Sequence, residues 1–140
     1  MALIVDAGAL YVQAHADDPG HAAVRATLEA EREPLVTSEL ALAEADYLIL
    51  DRLGPTAEAA FLEDIVEATY VVECLDRPGL AEARDVIARY RDLTLGLADA
   101  SLVVLAARLR TRRILSFDER AFRTVSPIQG GTFTLLPADA

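Results

Sequence analysis

The 140-residue sequence has no lysine, a single cysteine, and no apolar run approaching the roughly 20 residues that cross a bilayer. Each absence removes a class of function. Without lysine there is no Walker-type phosphate loop, no Schiff-base enzyme and no receiver domain with its usual lysine. Cys74 alone excludes an internal disulfide and a cysteine-based zinc knuckle, and it reads as a small buried hydrophobe with no role. The short apolar runs exclude a membrane span. Met1-Ala2-Leu3-Ile4-Val5 carries no basic leader and reaches Asp6 too soon for a signal segment, so a cytoplasmic protein is expected. Thirteen arginines against 23 acids leave a net charge of −10, which argues against a general nucleic-acid binder.

What is present is a foldable chain. A hydrophobic fraction of 53% rules out disorder, and this length matches one domain that buries about two-thirds of its unfolded surface. Short apolar runs alternate with longer helical patterns, the signature of βαβ units. The expected fold class is therefore α/β, a mostly parallel sheet of four to five strands flanked by helices. Strands are predicted at 3–5, 35–36, 70–73 and 113–115, with an edge strand at 132–136. Helices are predicted through Leu10 and Ala14, over 21–30, from Ser38 to Leu53 before the Gly54-Pro55 break, through Phe61 and Ile65, from Pro78 to Tyr90, and over 97–110 as a nearly all-apolar central helix. Asp118 to Phe122 reads as a short turn. The domain is expected over 1–136, with 137–140 a flexible tail.

Four acids stand out because their neighbours are apolar. Asp6 ends Leu3-Ile4-Val5, Glu44 lies within Leu40-Ala41-Leu42-Ala43-Glu44-Ala45, Asp99 is the only charge between Thr94 and Ala107, and Asp118 follows Ile114-Leu115-Ser116-Phe117. Helical spacing sets Glu44 on a stripe with Leu40, Tyr47 and Leu48, predicted to face inward, and Asp99 on one with Leu95, Leu102 and Ala106. Asp6 and Asp118 follow strands, and in open parallel sheets ligands bind beyond the carboxyl ends of strands. Singly, Asp6 and Asp99 have an alternative as helix caps and Asp118 as the start of a turn. Together they suggest a shared cation, because converging carboxylates repel unless neutralised. All-oxygen ligation favours Mg²⁺ or Mn²⁺ over Zn²⁺. Such a site would activate water to attack a phosphodiester in line, leaving 5′-phosphate and 3′-hydroxyl ends. His15 and His21 flank a turn and read as surface residues, which disfavours the metal-free route.

The charge average conceals a run of arginines, Arg108, Arg110, Arg112, Arg113, Arg120 and Arg123, bracketing Asp118. Of these, Arg112, Arg113, Arg120 and Arg123 are candidates for guiding a phosphate backbone toward the site, against the alternative of solvated helix ends.

Four segments carry a family resemblance: Ile4-Val5-Asp6-Ala7-Gly8-Ala9-Leu10, Ser38-Glu39-Leu40-Ala41-Leu42-Ala43-Glu44, Leu95-Gly96-Leu97-Ala98-Asp99-Ala100-Ser101-Leu102 and Ser116-Phe117-Asp118-Glu119-Arg120-Ala121-Phe122. In order and spacing the chain resembles a PIN domain, and more narrowly a VapC-type ribonuclease toxin. The resemblance implies a Mg²⁺-dependent endoribonuclease acting on RNA, usually a homodimer, held inactive by a VapB-type antitoxin. It implies Asp6, Glu44, Asp99 and Asp118 as metal-site acids, with Ser116 and Ser101 supporting them. Glu119 has two readings, an auxiliary ligand or a solvated ion pair. Ala7 and Gly8 stand where a hydroxyl or amide residue often follows the first aspartate, so that hydrogen bond is either missing or made by backbone.

Two other classes compete. A phosphatase of the haloacid dehalogenase type also begins with a strand-end aspartate, but it needs a second Asp where this chain has Gly8, and normally a lysine. A catalytically silent interaction module would keep the acids for stability or partner binding, and would gain no stability from Mg²⁺.

Overall fold

The computed structural model describes residues 1–67 and 69–140. Leu3–Val5 forms β1, and all three of its side chains are fully buried. A strand covered on both faces by crossover helices has no solvated side, which is why Leu-Ile-Val runs without alternation. The chain continues through α1 (Ala7–Ala14), α2 (His21–Ala30), β2 (Leu35–Ser38), α3 (Glu39–Leu53), α4 (Pro55–Val66), β3 (Val71–Glu73), α5 (Arg77–Arg89), a 3-10 turn at Arg91–Leu93, α6 (Leu97–Arg108), β4 (Arg113–Leu115), α7 (Glu119–Thr124) and β5 (Thr134–Leu136). The five strands form one sheet in the order β3-β2-β1-β4-β5, every pair parallel. Strand succession runs outward from β1 to β3, then restarts on the other side with β4. The reversal lies between β1 and β4.

The same device opens three of the helices beyond the sheet. Asp6 Oδ1 accepts from the Ala9 amide at 2.7 Å, Ser38 Oγ from Ala41 at 2.9 Å, and Asp118 Oδ1 from Ala121 at 3.1 Å. Each cap satisfies an amide that the helix leaves unpaired and lets the chain turn from strand to helix within a few residues. A polar group is thereby fixed at the carboxyl end of β1, β2 and β4. Of the two caps foreseen as alternatives, that of Asp6 is real and coexists with a position in the crevice. Asp99 lies inside the first turn of α6, which begins after Gly96, and Asp118, foreseen as the start of a turn, caps a helix instead.

The predicted central helix is α6, whose residues from Ala100 to Ala106 are all buried. It stops two residues earlier than expected, because Arg110 takes a left-handed φ of 55° and the Thr111 amide returns to Ala106 O at 2.9 Å. At the α3–α4 break Gly54 adopts φ 90°, a conformation that disfavours any side chain, and Pro55 starts α4. The segment read as a turn at 118–122 is helix α7, which a capping aspartate suffices to nucleate against the buried Ala121 and Phe122. Residues 137–140, expected as a tail, fold back on β5. Asp139 donates its amide to Leu135 O at 2.7 Å, accepts the Leu135 amide on its side chain at 2.8 Å, and pairs with Arg123 at 2.6 Å. That guanidinium holds the Asp139 carboxyl down at about 2.

Candidate metal centre

The four acids line one open cleft of about 500 Å³ at the carboxyl ends of β1 and β4, walled by Leu48 and Phe117. Their burial is unequal. Asp6 is only 4% exposed and Asp99 half-buried, whereas Glu44 and Asp118 stand exposed at the mouth. The inward stripe of α3 is Ala41, Ala45 and Ile49, and Tyr47 is 67% exposed. Glu44 therefore does not point at the core as its spacing suggested; it reaches the cleft from the flank of α3. The expectation of four carboxylates in apolar sites holds for Asp6 and Asp99 only.

Those two carry the electrostatic strain. Burial pushes Asp6 up from the ordinary 3.8 to about 6, aided by the charges of Asp118 and Glu44 and opposed by the Ser116 hydroxyl and the Ala9 amide. Burial likewise lifts Asp99 to about 7, with Asp6, Glu44 and Asp118 adding repulsion in that order. No arginine relieves either. The acids gather round one cleft without closing into a finished shell: among the described residues, no three His, Cys, Asp or Glu side chains are close enough to hold an ion between them as they stand. The donor chemistry nonetheless suits a hard divalent ion. Mg²⁺ keeps several waters and is usually held by only one or two carboxylates, so a closed protein cage is not required.

Supporting groups are placed in two different ways. Ser116 is buried, receives the Asp118 amide at 2.9 Å, and lies beside Asp6. Ser101 is also buried but meets no acid; its hydroxyl pairs with that of Ser38 at 2.7 Å. Because Ser38 caps α3, this bond ties the helix bearing Glu44 to the helix bearing Asp99. Glu119 is in an ion pair with Arg123 at 3.2 Å, its solvated reading. The amide of Ala9 supplies to Asp6 the hydrogen bond that Ala7 and Gly8 lack side chains to make.

The arginine run does not form one patch. Arg108 pairs with Asp76 at 3.1 Å, Arg123 with Asp139, and Arg112 donates to Gly130 O at 2.6 Å and Gln129 O at 3.2 Å. Arg113 makes a forked pair with Glu31, at the amino-terminal end of β4 and so at the opposite end of the sheet from the cleft. Arg112 and Arg113 are thus structural, and only Arg120, exposed on α7 two residues from Asp118, stays near the site without an ion pair among the described residues. Sequence adjacency misled here because strand β4 carries its two ends to opposite sides of the molecule. Arg113 lowers the Glu31 carboxyl, and the Glu31 side chain is 7% exposed. Arg113→Ala should strand that carboxylate and cost on the order of 2 kcal/mol in chemical denaturation, with cleavage activity unchanged in the surviving folded fraction. A loss of activity without loss of stability would restore its RNA-guiding role.

The model of the PIN domain family matches residues 3–126. The chain belongs to the PIN domain family. Ribonuclease VapC26 of Mycobacterium tuberculosis is 38% identical over 135 residues, 96% of this chain and all of the relative, which makes this PIN domain one of the VapC type. Among solved structures, Mycobacterium tuberculosis VapC20, described as a Sarcin-Ricin loop cleaving toxin, superposes with a TM-score of 0.78 at 18% identity, over 84% of this chain and 90% of its own. VapBC2 from Rickettsia felis, bound to a DNA fragment from its promoter, gives 0.68 at 13% identity over 96% and 97%. At those identities the two structures support the fold alone. No helix among the described residues is long and apolar enough to cross a membrane.

Proposed function

We propose that this PIN domain is a divalent-metal-dependent endoribonuclease, the toxin of a VapBC-type pair. The observation that carries the reading is the convergence of Asp6, Glu44, Asp99 and Asp118 from four separate segments on one cleft, in a chain similar over its whole length to a curated ribonuclease. Asp6 and Asp99, deepest and most strained, are the primary holders of Mg²⁺ or Mn²⁺, with Glu44 and Asp118 completing the outer side of the cleft. When bound there, the ion supplies an acidified water and charge to stabilise the departing 3′-oxygen.

The rest is done by the protein. The Ala9 amide and Ser116 hydroxyl partly offset the burial that raises Asp6, and the Ser38–Ser101 bond ties α3 to α6. The acids turn a phosphodiester away until metal neutralises them, which makes productive RNA binding conditional on the ion. A VapB-type antitoxin as partner and a homodimeric state are part of this reading, both expected of a VapC-type protein. Exposed apolar side chains on α3 and α4, Tyr47, Leu50, Leu62 and Val66, offer surface for either.

Purified protein incubated with total RNA should cut it in Mg²⁺ or Mn²⁺ and not in EDTA. The fragments should accept ligation through a 5′-phosphate and a 3′-hydroxyl. Cyclic 2′,3′-phosphate ends, or undiminished cutting in EDTA, would overturn the mechanism.

A further inference from the structure

Phe117 is the one large apolar residue of β4 and its exit that folding leaves uncovered. Leu115 is fully buried and Phe122 1% exposed, yet Phe117 between them is 46% exposed. It forms a wall of the acidic cleft, directly before Asp118. Exposing a ring forfeits the favourable transfer of apolar surface from water, so its position serves no purpose in the core.

The ring is nevertheless held. It lies against the loop between α1 and α2 at Gly20, where an added Cβ would come within 2.9 Å of Phe117 Cζ and 3.3 Å of Cε2. Gly20 sits at φ −88°, a conformation open to any residue, so the glycine is required by the ring and not by the backbone. Its amide is fixed in turn by Asp18 Oδ1 at 2.8 Å. The outer edge of the aromatic, at Cζ and Cε2, is thereby backed by the chain, and the residue, 46% exposed, lines the cleft.

We infer that Phe117 is a stacking platform for the nucleobase next to the scissile phosphate. The inference rests on the ribonuclease reading and adds to it a residue that positions the substrate, the Phe117 ring beside the acids. Base and phosphate hang from one backbone, so a ring adjoining the acids that handle the phosphate meets the neighbouring base. A base can lie on that ring only when it is free of its own stack. Stacking on an aromatic face is also tolerant of sequence, so the platform selects for unpaired structure and leaves base identity to other contacts.

The test uses a 12-nucleotide single-stranded RNA of randomised sequence, with Ca²⁺ in place of Mg²⁺ to hold the complex uncut. Phe117→Leu keeps apolar volume and removes the aromatic face; its affinity by fluorescence anisotropy should fall about tenfold, the low end of base–aromatic stacking. In cleavage, KM should rise by that factor while kcat falls less than about threefold. Phe117→Tyr should restore binding, and Gly20→Ala, which displaces the ring without touching RNA, should reproduce the loss. Thermal melts check that each variant folds. Since the chain has no tryptophan and only four tyrosines, Phe117→Trp places a sole tryptophan in the cleft that can be excited selectively, and its fluorescence should be quenched by the 12-mer and not by an abasic strand of equal length. Wild-type affinity in Phe117→Leu, or binding to Phe117→Trp without quenching, would overturn the platform alone. A wild-type protein that neither binds the 12-mer nor cuts total RNA defeats the nuclease reading and the platform with it.

Discussion

Asp99→Asn should abolish RNA cleavage and, in the same molecule, make the metal-free protein harder to unfold. Asp99 lies on the buried helix α6, with the charges of Asp6, Glu44 and Asp118 facing it. Its carboxyl is displaced from 3.8 to about 7, and each unit of displacement is worth ~1.36 kcal/mol between the two protonation states. Above pH 7 the ionised group is therefore a burden on the fold. Asparagine keeps the shape, removes the charge and still has to be desolvated, so a gain on the order of 2 kcal/mol is expected, or about 5 °C in melting temperature. Cleavage should move the other way. An amide is a poor ligand for Mg²⁺, and losing several kcal/mol of metal assistance corresponds to a fall of about 10³-fold or more. The opposed signs separate a functional acid from a structural one, since a merely misfolded variant would lose both properties. Retained cleavage in Asp99→Asn would remove this residue from the site, and a drop in stability would show that its charge has a partner in the fold.

In EDTA, stability should decline as pH rises from 5 to 8, opposite to the usual behaviour of carboxylates. Asp6 and Asp99 have folded-state values of about 6 and about 7 against 3.8 unfolded. Between the unfolded and folded values the native state holds protons that the unfolded chain has released. The derivative of unfolding free energy with pH is then negative, so stability falls until both groups have ionised near pH 7. From pH 5 to pH 8 the loss crosses about one unit for Asp6 and two for Asp99, on the order of 4 kcal/mol together. Glu31, Asp76 and Asp139 are lowered instead, so their contributions are complete at lower pH and do not offset the decline. Mg²⁺ should reverse it selectively, stabilising at pH 8 by ~2.7 kcal/mol at a hundredfold excess over its dissociation constant and far less at pH 5, where protons compete. Urea titrations at four pH values with and without Mg²⁺ measure both effects. A flat or rising profile in EDTA, or equal Mg²⁺ stabilisation at both extremes, would contradict the strained pair.

The sheet and its helices were legible because the patterns that report them are local. Leu3-Ile4-Val5, Ser38 before an apolar stripe and Gly54-Pro55 each act on their nearest neighbours, and each performs its expected role. Pairing depth needed more than that. Glu44 was picked for an inward stripe that is not inward, and it reaches the cleft because α1 packs beside α3 and opens that flank beyond Asp6. Spacing along one helix cannot report which neighbour covers which side. The arginines failed for a related reason: a three-residue strand separates Arg113 from the cleft by the full depth of the sheet, although the sequence sets it five positions from Asp118. Ser101, expected from the resemblance to support the acids, meets Ser38 instead, a partner 63 residues away that gives no signal in its own neighbourhood.

The place of β1 at the middle of the sheet governs when the enzyme can exist. Ile4 is made before either of its partners, and it waits for Val36 on one side and for Ile114 on the other. Pairings so distant in sequence form late and slowly. A nascent chain halted before Phe117 lacks two of the residues that line the cleft, Phe117 and Asp118, so synthesis itself withholds the site until β4 and its exit have been made.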